Sequence, residues 1–213
     1  MSPMSMSPMS PMPMPSPAPA PAPAPGKTPP SPSLGGCYDD PDAAECASFQ
    51  QSDSVSNADI ETLCKSMPFM TGCSLQRQCE QGSASGPYCQ PFSILADLCI
   101  DMPSMNGCQR YNALCGPGSV VTQCTTVTPV PHMVMTYDAI DAVLAMCSSM
   151  SMPGCSQCTS KSNCPDPIAT LSNVCLGMPG MSQCAPFVAM CEAGAGGQTF
   201  AQLCGGGGDS GPP

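Results

Sequence analysis

The stretch CKSMPFMTGCSLQRQC, residues 64–79, decides how the fold is read. Cys64 and Cys73 enclose Met67 and Met70, and Cys79 follows six residues after Cys73. Two further stretches obey the same rule, CxxMxxMxxC and then five or six residues to another cysteine. They are Cys99-Met102-Met105-Cys108-Cys115 and Cys175-Met178-Met181-Cys184-Cys191. A degenerate copy, Cys147-Met150-Met152-Cys155-Cys158, is one residue short inside its first pair and leaves two residues before its next cysteine. Each unit then has one more cysteine: Cys89, Cys124, Cys164 or Cys204. A fixed period of this kind marks tandem units, here near 58–89, 92–124, 137–164 and 167–204. At the ends the frame stays open. Cys204 reads equally as the start of a fifth unit, and Cys37 and Cys46 as the close of an earlier one.

A short amphipathic run precedes each opening cysteine: Ala58–Leu63, Ser93–Leu98, Tyr137–Leu144 and Ile168–Val174. Apolar residues recur at three and four, which predicts one-face helices. Asn57 or Asp59, Ser93, Asp138 and Asp166 are the candidate caps. The Met-Pro and Gly-Cys steps that follow should end each helix. The expected fold is therefore small, disulfide-rich and mainly α, built from tandem short helices and turns. Strand signals are confined to Val120-Val121 and 125–130, where Pro129 argues against them.

Composition places the weight on sulfur. The 213 residues include 18 cysteines, 18 methionines, 28 prolines and 20 glycines, with 4% aromatic and 9% charged residues. Such a chain should lack a large aliphatic core, which leaves cross-links to hold it. The net charge is −10 with five basic residues. That excludes the clustered Lys and Arg needed for nucleic acid or anionic lipid. No apolar run reaches the length of a membrane span. Residues 1–33 carry six methionines and then an Ala-Pro run. Proline at that density predicts a disordered, extended tail. The Gly-rich 205–213 segment reads as a linker. No secretory leader is legible, yet the cysteine content places the chain in an oxidising setting, outside the cell or at its surface.

Cysteine spacing favours disulfides over a thiolate cluster. There is one CxxC, Cys155 to Cys158, and no CxC; most neighbours stand six to eleven apart. The disulfide candidates are Cys64, Cys73, Cys79, Cys89, Cys99, Cys108, Cys115, Cys124, Cys175, Cys184 and Cys191. Their connectivity is not legible, since eighteen cysteines allow on the order of 3 × 10⁷ pairings. Cys155 and Cys158 are the candidate exception, a local redox or thiolate site.

A methionine is ordinarily core filler. Here the offset repeats in three units while the neighbours vary, and proline follows the first methionine each time. Thioether is a soft, uncharged ligand that selects copper(I). With cysteines oxidised, it is the remaining strong soft donor. The candidate ligands are Met67, Met70, Met102, Met105, Met150, Met152, Met178 and Met181. His132, the single histidine, sits beside Met133 and Met135 and is a candidate mixed nitrogen–sulfur ligand.

With its CxxMxxMxxC-x5/6-C units, the chain resembles the Cys-Met ectodomain repeats of the Ctr-type copper transporters of green algae. The resemblance covers roughly residues 58–204 and implies extracellular capture of copper(I) for uptake or delivery by a membrane copper transporter domain. The three membrane helices of that family have no counterpart here, so copper binding carries over, onto Met67, Met70, Met102, Met105, Met178 and Met181, and transport does not.

The competing expectation is a structural cell-wall or matrix protein, which the Ala-Pro run and disulfide beads would suit. An enzyme is the weakest expectation. One histidine cannot supply multi-histidine metal sites, and no phosphate loop or nucleophile elbow is present. Asp39-Asp40-Pro41-Asp42 lacks the spacing of a calcium loop.

Overall fold

A computed structural model describes residues 33–127, 129–152, 154–193 and 203–205. The expectations for the Met/Pro-rich tail, and for 206–213 of the Gly-rich tail, fall outside the described residues. The rest is mainly helical: α1 (Asp53–Ser66), α2 (Thr71–Glu80), α3 (Pro91–Asp101), α4 (Gln109–Leu114), α5 (Gln123–Thr126), α6 (Thr136–Ser149), α7 (Pro167–Gly177) and α8 (Ala185–Ala193). Among the described residues there is no strand, only an isolated bridge between Ser160 and Asn163. The 120–130 segment takes a helical turn at α5 instead.

The helices begin earlier than the apolar runs suggest. Ser52, not Asn57 or Asp59, caps α1, accepting from the Val55 N–H. Proline at the first helical position starts α3 and α7, where its missing N–H leaves nothing unsatisfied. Asp166 caps α7 as expected, accepting from the Ala169 N–H at 3.2 Å. Asp59 is instead a buried residue of α1, paired with Arg110 of α4 at 2.6 Å.

All eighteen cysteines are paired, and every pair is the next one along the chain: 37–46, 64–73, 79–89, 99–108, 115–124, 147–155, 158–164, 175–184 and 191–204. Two corrections follow. Cys204 bonds to Cys191 and so closes unit four rather than opening a fifth. The Cys155–Cys158 pair is split between two bridges and leaves no thiol, so the local redox or thiolate site is not there.

An aliphatic core does form, against the expectation from composition. Ile60, Leu63, Leu75, Leu95, Leu98, Ile140, Val143, Ile168 and Leu171 are buried in one cluster that runs through all four units. Its residues come from short helices, none of which contributes more than four buried side chains. Cys73, Cys99, Cys108, Cys175 and Cys184 are buried in the same cluster, where a disulfide serves as both cross-link and apolar filler. Helix α3 is the centre: Phe92 to Cys99 are all buried, against α1 and α2 on the unit-one side and α4 in its own unit. Gly72 lets α2 come that close, because a Cβ there would meet Leu98 Cδ2 at 2.8 Å. On the other side α6 packs on α7, and α7 meets α2. A second, smaller cluster gathers Cys46, Phe92, Leu114 and Val121 around the 37–46 loop.

Candidate metal-binding site

Each regular motif folds into one local device. The first methionine ends the opening helix: Met67, Met102 and Met178 are its C-caps, with φ near −140° and ψ between 67° and 77°. The following proline causes this, because its ring excludes the helical ψ for the residue before it. The Met67 carbonyl then accepts from the Met70 N–H at 3.2 Å, Met102 from Met105 at 3.1 Å, and Met178 from Met181 at 3.2 Å. These are four-residue turns with methionine at both ends and proline second, the position proline favours. The second methionine's carbonyl accepts from the closing cysteine's N–H, at 3.0, 3.1 and 2.9 Å for Cys73, Cys108 and Cys184. The disulfide then ties that cysteine back to the helix that opened the unit.

The backbone thus explains the spacing without reference to metal, while the side chains differ between units. Met70 has no exposed surface and belongs to the core. Met67 is part-buried against that core. The two sulfurs of unit one therefore sit at different depths. Met102 and Met105 are both part-buried. In unit four Met178 is 42% exposed and Met181 part-buried.

The degenerate unit three is built differently. Met150 caps α6 and is 39% exposed. The turn closes one step later, from the Cys155 N–H to the Met152 carbonyl at 3.2 Å, and Met152 is part-buried. With two residues between Cys155 and Cys158 there is room for one 3₁₀ turn and no second helix.

His132 is exposed and has φ +57°, the one non-glycine residue with positive φ among those described. The Met133 N–H donates to the Val130 carbonyl at 3.2 Å, so Pro131 and His132 form the middle of a turn that needs a left-handed third residue. Histidine tolerates that region better than most residues.

No three side chains drawn from His, Cys, Asp and Glu gather into a metal-binding group among the described residues. The Asp39 carboxylate is occupied by its own turn, accepting from the Leu34 and Gly35 N–H groups at 2.9 and 2.8 Å. Those bonds, together with the one from Ser33, hold its pKa below the usual carboxylate range. Asp40 is raised by the neighbouring Asp42.

Two features escape a reading of the sequence. One is a buried carboxyl: Asp97 of α3 accepts from the Val130 N–H at 3.0 Å and leaves Oδ2 without a partner. Burial pushes its pKa up to about 8. One turn on, Asp101 accepts from the backbone N–H and the hydroxyl of Thr136, and burial raises it too. The other is a set of side-chain donors to the methionine turns. Arg77 Nη1 donates to the Pro68 carbonyl at 3.1 Å and Asn112 Nδ2 to the Pro103 carbonyl at 2.6 Å. Both donors stand nine residues after the proline, a spacing that is visible once the turns are known.

An open cleft of about 520 Å³ lies beside the unit-one turn, lined by Phe69, Tyr137, Lys161, Ser162, Asn163, Cys164 and Pro165. Lys161 is paired with Asp141 at 2.7 Å. No helix among the described residues is long and apolar enough to cross a membrane.

No protein-family model matches the chain, and no solved structure matches it. The chain is similar to Protein P80 of Dictyostelium discoideum, with 42% identity over 161 residues. The match covers 74% of this chain and 30% of that protein, so the similarity concerns less than a third of the relative's length.

Proposed function

We propose that the chain is an extracellular copper(I)-binding module, which captures the ion through methionine thioethers for uptake or delivery by a Ctr-type copper transporter. The observation that carries this reading is the state of the sulfur. Every cysteine is consumed in a disulfide, so thioether sulfur is the soft donor left with free lone pairs. In units two and four both methionines of the turn keep some exposure, as do Met150 and Met152. An uncharged, two-sulfur site gives modest affinity, which suits capture and hand-over. Met70 serves unit one as packing while Met67 keeps some exposure, and His132 sits beside Met133 and Met135 as a further candidate donor.

The test is a copper(I) titration of the oxidised chain against a chromophoric chelator, with Met102, Met105, Met178 and Met181 changed to leucine. Leucine preserves volume and removes the donor. Binding should fall by at least tenfold; unchanged binding would sink the proposal.

A second reading, a disulfide-stabilised cell-wall or matrix bead, is favoured by a specific observation: the Met-Pro-x-Met spacing has a complete backbone explanation, and Met70 is core. An intact fold with no copper affinity in the oxidised chain would select it.

A further inference from the structure

The three regular turns are not held alike. In unit one the Pro68 carbonyl is clasped by Arg77, and in unit two the Pro103 carbonyl by Asn112. Each clasp joins the second residue of the turn to the helix that follows. Nine residues after Pro179 stands Val188, whose side chain has no donor. Val188 instead lines an apolar groove with Leu176, Pro179 and Phe187. Among the described residues, the contacts that hold the unit-four turn are its backbone bonds and the Cys175–Cys184 bridge.

Two independent observations agree with a looser turn. Met178 is the most exposed of the described methionines, at 42%. Gly180 takes the corner occupied by Phe69 and Ser104 in the other units, and a Cβ added there would meet nothing within 4 Å. No described residue packs on that corner, and glycine gives it a wider range of backbone angles.

We propose that Met178 and Met181 form the loading site of the molecule, the pair that takes and exchanges copper(I) first. This rests on the copper-binding reading above. Two thioethers must swing toward one ion, and each loses rotamer freedom in doing so. In unit one Met70 would have to leave the core. In unit two a fixed turn must give way, or Met102 and Met105 must abandon their packing against the core. In unit four the turn can adjust around the ion, and Met178 gives up little buried contact. The order of occupation is unit four, then unit two, then unit one. A hydrogen bond of ordinary net strength makes the clasp worth about five-fold in affinity.

The test is methionine-methyl NMR on the full oxidised chain, titrated anaerobically with copper(I) supplied as its acetonitrile complex. The Met178 and Met181 methyl signals should shift first, before one equivalent is added. Val188→Asn, which offers Pro179 the missing donor, should weaken that site about five-fold, and Asn112→Ala should strengthen the Met102–Met105 site by a similar factor. Asn112 is exposed, so that variant keeps the test sound should Val188→Asn disturb packing. Met102 and Met105 shifting first, or an Asn112→Ala chain that loads as the parent does, overturns the loading order and leaves copper binding intact. No methionine signal shifting at all overturns the copper reading and the loading order together.

Discussion

At the scale of single residues, several side chains answer to backbone or burial constraints that a motif search cannot see. His132 occupies a left-handed turn position, which accounts for it without any ligand. His132→Asn should leave stability within about 0.5 kcal/mol, because Asn also tolerates this region. His132→Val should cost about 1–2 kcal/mol in denaturant unfolding, because a β-branched residue does not tolerate it. Equal stability of the two variants would remove the conformational account. Asp97 is the second case. Its folded pKa is raised to about 8 by burial, against roughly 3.9 for an unfolded aspartate. Below about pH 4 both states are protonated and the group is neutral to stability. Between about pH 4 and 8 the folded state holds the proton and the unfolded state does not, so stability falls as pH rises. Asp101, shifted the same way, adds to the slope. Asp97→Asn keeps the acceptor for Val130 and loses the charge. Its melting temperature should match the parent near pH 4 and exceed it at pH 8–9; a parallel pair of pH profiles would contradict the burial of a charge at this site.

At the scale of elements, Asp166 does two things at once. It caps α7, and it accepts from Ser74 at 2.7 Å and from Arg77 at 2.8 Å, both on α2. The charge pair is more than a third exposed and is worth little by itself. The cap and the Ser74 bond survive in Asp166→Asn and vanish in Asp166→Ala. Asp166→Ala should therefore cost about 1.5–2 kcal/mol and Asp166→Asn less than half of that, read from urea midpoints. How much of these elements was legible follows from what caused them. The motif Cys-x-x-Met-Pro-x-Met-x-x-Cys marked the end of the opening helix in the three regular units, because pre-proline sterics act locally. Asp166 was legible as a cap for the same reason. The start of α1 was not, because Ser52 lies six residues ahead of the first apolar position in the run, and residues 53–57 carry Val55 as their single apolar marker. Nor was the aliphatic core, since each helix shows too few apolar residues to announce it alone. The unequal burial of Met67 and Met70 lay beyond reach for a related reason. The turn places them, and which one meets α3 and the rest of the core depends on neighbours distant in sequence.

At the scale of the whole molecule, nearest-neighbour pairing makes every disulfide a small local loop, with separations of 6 to 13 residues. No loop encloses another, so the bridges fix each unit and leave the joining of units to the hydrophobic cluster around α3 and to contacts such as α2 with α7. The nine bridges should accordingly differ in worth according to where their sulfurs sit. In the chain-entropy account a loop of this length contributes about 2.5 kcal/mol wherever it is. Cys99 and Cys108 are in addition fully buried at the centre of the core, whereas Cys115 and Cys124 are part-buried beside the smaller cluster. Replacing Cys115 and Cys124 together by alanine should cost roughly the loop value of 2–3 kcal/mol, while the same change at Cys99 and Cys108 should cost about 1–2 kcal/mol more through the cavity left in the core. Guanidinium unfolding of the two double variants measures the difference. A cost at Cys115–Cys124 equal to that at Cys99–Cys108 would mean that the bridges act only on the unfolded chain, and that the core does not depend on the sulfur packed inside it.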